Sequence, residues 1–135
     1  MIPILEKRQR IWVDNFNMLP GWQEKYAYLI DLGDGLCPIP EIKKTFQNRL
    51  KSCLSSSYFC VDKTNEILKI SGYSNSNIPA GLIALMIAIF DGVNIDDVRH
   101  SEIFFHIDSG LIDNLSGNRR EGLIEMINRI KNMAR

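Results

Sequence analysis

Tyr58-Phe-Cys-Val-Asp-Lys-Thr-Asn-Glu-Ile-Leu-Lys-Ile70 decides the fold class. Tyr58 to Val61 is dense in strand-forming residues, and Glu66 to Ile70 is a second short strand. Asp62-Lys-Thr-Asn65 between them suits a hairpin turn. Asn48 to Ser52 is a candidate third strand, which makes Ser52 to Ser57 a serine-rich loop joining it to the hairpin. The stretches before Cys37 and after Asn77 are mostly helical in pattern. Helices flanking a small antiparallel sheet of about three strands make an α+β domain.

Immediately downstream, Asn77-Ile-Pro-Ala-Gly-Leu-Ile-Ala-Leu-Met-Ile-Ala-Ile-Phe90 starts at a capping Asn with Pro in its first turn, and it stops at Asp91-Gly92. It is apolar on every side, so it belongs in the middle of the core. Asn94 to Val98 opens a shorter helix, and Ile103-Phe-Phe105 adds core. The last helix begins near Ser116, with Leu123, Met126, Ile127, Ile130 and Met133 on one stripe. Upstream, Ile4, Leu5, Ile11, Trp12, Phe16 and Leu19 recur at helical spacing until Pro20-Gly21. A second helix carries Trp22, Tyr26, Leu29, Ile30 and Gly33 inward and ends at Gly33 and Gly35. Cys37-Pro-Ile-Pro40 then connects in extended form.

Composition bounds the function. The 135 residues, with 45% apolar and 24% charged side chains, fit one domain, 1–135, large enough to fold without a disulfide or metal. Sixteen Lys and Arg balance sixteen Asp and Glu, so the basic excess that grips nucleic acid or an anionic membrane is missing. Ile78 to Phe90 is shorter than the ~20 apolar residues of a membrane span. Charge right after the N-terminus argues against a secretory leader, and three cysteines cannot all pair within the chain. Reduced thiols in the cytoplasm are the expectation.

Few motifs carry chemistry. Asp31-Leu-Gly-Asp-Gly35 lacks phosphate-loop spacing, no G-x-S-x-G is present, and no CxxC or HxxxH pair supplies metal ligands. His106, beside Phe104, Phe105 and Ile107, suits core packing better than base catalysis. Cys60 lies inside a strand as a small hydrophobe, and Cys37 fills a connector. Cys53 differs, because it sits in the polar serine-rich loop two residues after Lys51. A thiol there becomes a thiolate when a cation approaches. On this ground alone an ordinary loop cysteine and a reactive one stand equally.

Four stretches resemble one family, the SufE-type (SufE/CsdE) sulfur acceptors that work with cysteine desulfurases. Trp22-Gln-Glu-Lys-Tyr-Ala-Tyr-Leu-Ile-Asp-Leu-Gly33 and the Leu36-to-Pro38 connector are similar to the family's early helix and Leu-x-Pro. Asn48-Arg-Leu-Lys-Ser-Cys-Leu-Ser55 resembles its N-x-V-x-G-C-x-S loop. Ser71 to Leu85 is similar to G-x-S-D-A-x-I-x-x-G-L, and Leu115 to Met126 to L-S-P-x-R-x-x-G-L-x-x-M. The matches fall in order from Trp22 onward. Ser52 stands for the family's glycine, Leu54 for glutamine, Asn75 for aspartate and Gly117 for proline.

The resemblance implies a SufE/IscU-like fold and a sulfur-transfer protein acting as accessory to a desulfurase. Cys53 would take persulfide sulfur from a pyridoxal-phosphate-dependent enzyme of the SufS or CsdA kind, stimulate it, and deliver sulfur for iron–sulfur cluster assembly on a downstream scaffold. Arg119, Ser52, Leu54, Ser55 and Asn75 would support the thiol or face the partner. The chain itself would hold no cofactor and no metal, since pyridoxal phosphate belongs to the desulfurase. Whether the carrier forms a homodimer is left open. Two alternatives remain at this point. One is an iron–sulfur or zinc scaffold using Cys53 with Cys37, Cys60 or a histidine. The other is a degenerate, non-catalytic desulfurase-binding module.

Overall fold

The computed structural model describes residues 2–52 and 55–135. Its elements run α1 (Ile4–Asn17), α2 (Trp22–Asp34), a 3-10 turn (Glu41–Lys43), β1 (Ser57–Thr64), β2 (Ile67–Ser74), α3 (Asn77–Phe90), α4 (Ile95–His100), α5 (Phe105–Asp108), α6 (Leu111–Asn114) and α7 (Gly117–Met133). The fold is α+β, as the hairpin window implied.

β1 and β2 pair antiparallel from Ser57 opposite Ser74 to Thr64 opposite Ile67. The turn is therefore Asn65-Glu66, both at positive φ, rather than Asp62 to Asn65. Both central residues in the left-handed region match the twist of a two-residue hairpin, which lets β1 run three residues past Val61, to Thr64. The expected third strand is reduced to a bridge between Arg49 and Tyr58, so among the described residues the sheet has two strands. Leu50 N donates to Ser57 O and Phe59 N to Asn48 O, but the ladder stops there. The next two backbone N–H groups, of Lys51 and Ser52, turn away to the carboxylate of Glu125 on α7. On the opposite edge Leu68 N donates to Val93 O, Ile95 N to Glu66 O and Ile70 N to the Asp91 carboxylate. Chain segments thus cover both edges of the hairpin, which would otherwise offer unpaired groups for aggregation.

α3 is buried on most of its surface, between α2 and β2, with α1 and α7 also touching it. Its cap is Ser76 rather than Asn77, since Ala80 N already bonds Ser76 O. Gly33 is not a terminator: it lies within α2, which ends at Asp34 with Gly35 as cap. A Cβ on Gly33 would sit 2.7 Å from Gly81 N, and one on Gly81 would sit 2.6 Å from the Leu29 carbonyl carbon. The two glycines let α2 and α3 cross with their backbones almost in contact.

α7 buries Leu123, Met126, Ile127 and Ile130, as its stripe predicts, against β1 and α3. α1 departs from expectation. It buries Leu5, Gln9, Val13 and Phe16, whereas Ile4 and Ile11 face outward. Gln9 is fully buried because it replaces missing backbone partners. Its Nε2 donates to Glu102 O at 2.9 Å, and its Oε1 accepts from Phe104 N and Phe105 N at 2.7 and 3.1 Å. Among the described residues no helix is long and apolar enough to cross a membrane.

Candidate functional site

The loop between Leu50 and Ser57 is held at both of its described ends. Leu50 is fully buried and anchors the entry, while Ser57, also fully buried, begins β1 at the exit. Cys53 and Leu54 lie outside the described residues, so the site is defined by what holds their neighbours.

At the entry the anchor is α7. Glu125 and Arg129, one turn apart, form an ion pair of 2.7 Å with both side chains about 20% exposed. The Glu125 carboxylate accepts from Lys51 N at 3.2 Å, Ser52 N at 3.1 Å and Ser52 Oγ at 3.1 Å. The Arg129 guanidinium donates to Asn48 O at 3.0 Å, Phe59 O at 2.9 Å and Arg49 O. The fork spans the entry segment and β1 together: it pairs the Phe59 and Arg49 carbonyls and shares the Asn48 carbonyl with Phe59 N. Burial pushes the Glu125 carboxyl upward, but the bonds from Ser52 and Lys51 and the Arg129 charge outweigh it and hold it below the usual carboxylate range.

At the exit the anchor is a chain of hydroxyls. Ser55 Oγ lies 3.1 Å from Ser57 Oγ, which lies 2.8 Å from Ser74 Oγ, and Ser74 Oγ accepts from Ser76 N at the start of α3. Asn75 N donates to Ser56 O at 3.2 Å. Three of the residues singled out from sequence, Ser52, Ser55 and Asn75, are therefore gathered around the loop. Leu54 lies outside the described residues.

Arg119 is exposed in the first turn of α7. It precedes Glu125 by six residues, about 9 Å along the axis and roughly a third of a turn round, so it does not share the face that grips Ser52. Lys51, read above as the cation near the thiol, stacks its ammonium over the Phe46 ring at 4.9 Å. Phe46 and Ile42, on the segment leading into the loop, are 74% and 83% exposed.

The other cysteines behave as buried packing and connector residues. Cys60 is buried in β1, its thiol facing Lys43 O, and burial pushes its pKa up despite Ser71 and Lys43 nearby. That keeps it protonated and a poor nucleophile. Cys37 is exposed in the α2-to-β1 connector, at a cleft with Leu36, Ile39 and Ile87. His106 is half-buried, against Phe105 rather than at the loop, with Nδ1 buried and unpartnered. Among the described residues no three His, Cys, Asp or Glu side chains group as metal ligands.

Glu125 and Arg129 are the site residues that sequence reading missed. Their signal was present as a Glu and an Arg four apart on the polar side of α7, a common surface pair. Nothing in that spacing shows that the pair turns toward a segment more than seventy residues away in sequence.

Residues 10–134 match the SufE family, described as the Fe-S metabolism associated domain. An uncharacterised SufE-like protein of Rhizobium meliloti (strain 1021) is 35% identical over 129 residues, covering 90% of this chain and 91% of the relative. A second, of Rhizobium etli, is 33% identical over 130 residues and covers 91% and 86%. The cysteine desulfuration protein SufE of Wigglesworthia glossinidia brevipalpis is 29% identical over 126 residues, covering 92% and 88%. The solution structure of a hypothetical protein from Thermus thermophilus superposes with a TM-score of 0.70 over 98% of this chain and 97% of that one. At 15% identity this shows a shared fold.

Proposed function

Because this chain belongs to the SufE family, with a role in sulfur transfer and iron–sulfur metabolism, we propose that Cys53 is the atom-carrying residue: it accepts sulfur from a cysteine desulfurase and passes it on for cluster assembly. The observation that carries this reading is the double anchoring of the loop. A segment fixed through Ser52 to α7 and through Ser55 to Ser57 and Ser74 is a scaffold for presenting a short reactive tip.

The chemistry is persulfide exchange. The Cys53 thiolate attacks the outer sulfur of the donor's cysteine persulfide. A new S–S bond forms on Cys53 as the donor's S–S bond breaks, and the donor leaves as a thiolate. No net oxidant is required. The desulfurase brings its own pyridoxal phosphate, and this chain contributes the acceptor sulfur and its orientation. Phe46, exposed on the segment leading into the loop with the Lys51 ammonium over its ring, offers an apolar, cation-edged spot suited to a brief encounter with the donor.

Intact-mass measurement after incubation with an active cysteine desulfurase and free cysteine tests the proposal. Wild type should gain one sulfur atom, mapped to Cys53 and removed by dithiothreitol. Cys53→Ser should gain none and should fail to stimulate the desulfurase. Unmodified wild type beside an active, matched desulfurase would sink the reading. A Cys53→Ser variant that still stimulated turnover would instead favour a non-catalytic binding module.

A further inference from the structure

Ser52 is where the loop departs from its family's glycine, and Ser52 is also where α7 takes hold. Its N–H and its hydroxyl both bond the same Glu125 oxygen at 3.1 Å, while Lys51 N bonds the other oxygen at 3.2 Å. A glycine could supply only the backbone bond, so the third bond exists because the side chain is serine. The carboxylate is held in turn by Arg129, whose remaining donors fasten Asn48, Arg49 and Phe59. One ion pair thus fixes the backbone from residue 48 to residue 52. Consecutive Cα atoms lie ~3.8 Å apart, so the last fixed point is a single residue from the thiol carrier.

We infer that Glu125 and Arg129 are positioning residues for Cys53, and that Ser52 and Glu125 act as a matched pair setting the thiol's approach to the donor persulfide. The inference rests on Cys53 being the sulfur acceptor. In-line exchange between two sulfurs demands alignment, and a displacement of about 1 Å in a reacting group can cost up to a hundredfold in rate. The pair therefore acts on the maximal transfer rate, not on how tightly the donor binds. Its role is geometric more than electrostatic: Arg129→Lys keeps the charge but loses the fork that reaches three carbonyls.

Single-turnover sulfur transfer, followed by mass against donor concentration, provides the test. Glu125→Ala should lower the maximal rate about tenfold while the half-saturating donor concentration moves less than about twofold. Ser52→Gly should lower it about threefold, and the double variant should match Glu125→Ala instead of multiplying the two losses. Glu125→Gln, whose amide oxygen still accepts from Ser52, should recover part of the rate, and Arg129→Lys should be slow despite its charge.

Iodoacetamide labelling supplies a readout independent of the donor. Glu125→Ala should speed alkylation of Cys53 severalfold by releasing its segment, with Cys37 in the same molecule unchanged. Wild-type transfer and labelling rates in Glu125→Ala, or multiplicative losses in the double variant, would overturn the inference and leave the carrier function standing. No sulfur on wild-type Cys53 would remove the carrier function, and the labelling comparison would then decide alone whether the pair governs the thiol. If Glu125→Ala lost its cooperative unfolding transition, Glu125→Gln and Ser52→Gly would decide by the same measurements.

Discussion

Among single residues, two polar side chains organise more of this protein than their types suggest. Glu125 substitutes for a strand at the loop entry, and Gln9 substitutes for one between α1 and the segment before α5. Each answers backbone groups that regular structure leaves open, which is why each is held in place. Gln9→Leu keeps the volume but takes the partner from the buried Phe105 N–H, the part-buried Phe104 N–H and the Glu102 carbonyl. It should destabilise the fold by roughly 3 kcal/mol, from ~1–3 kcal/mol per unsatisfied group with partial relaxation, read from urea unfolding midpoints at unchanged slope. Unchanged stability would mean that water replaces the glutamine. Neither residue was legible from the chain alone. Gln9 follows three charged residues in an amphipathic pattern, and its position, four after Leu5, was the only hint that it points inward.

Among the elements, the decisive contact is the crossing of α2 and α3. Close approach there requires glycine on both helices, and the sequence pattern suggested a different use for Gly33, as a stop. The pattern could not say otherwise, because a glycine near a helix end serves equally as terminator or as contact point. Gly81→Ala should cost about 3 kcal/mol or more, since its Cβ would meet the Leu29 backbone rather than a side chain that can rotate away. Thermal melts of Gly81→Ala beside Gly117→Ala, where a Cβ meets nothing within 4 Å, check this. Equal melting temperatures would refute the crossing. The amphipathic stripe of α7 and the helix start at Asn94 were readable locally, because side-chain spacing along a few residues determines them without tertiary input; the structure adds that Asn94 Oδ1 caps α4, accepting from Asp96 N at 2.8 Å. The third strand was not. Asn48 and Leu50 keep two ladder bonds to β1, yet the next backbone N–H groups, of Lys51 and Ser52, go to Glu125 on α7.

For the molecule as a whole, acid should act in two stages. Burial and the Lys131 charge lower the pKa of His106 from 6.5 against the opposing pull of Asp108, so the unfolded chain takes up this proton before the folded one does. Stability from this residue is complete above pH 6.5 and drains as pH falls toward the folded value. The lowered Glu125 carboxyl works the same way further down. Its contribution is intact above about 4.5 and is lost as pH falls through its folded value. Urea midpoints between about pH 8 and about pH 3 should therefore decline twice, with His106→Phe flattening the upper decline and Glu125→Gln the lower. An upper decline that persists in His106→Phe would assign it to another group.

Local spacing and contiguous motifs were enough to establish the α+β class, the central, mostly buried place of α3, the inward stripe of α7 and the choice of Cys53 as the residue to test. They could not establish that the sheet stops at two strands, that Ile4 and Ile11 face out while Gln9 faces in, or that Ser52 is gripped by Glu125. Those outcomes are competitions between partners far apart in the chain for the same backbone hydrogen bonds and the same place in the core. Such a competition is settled only when the partners meet.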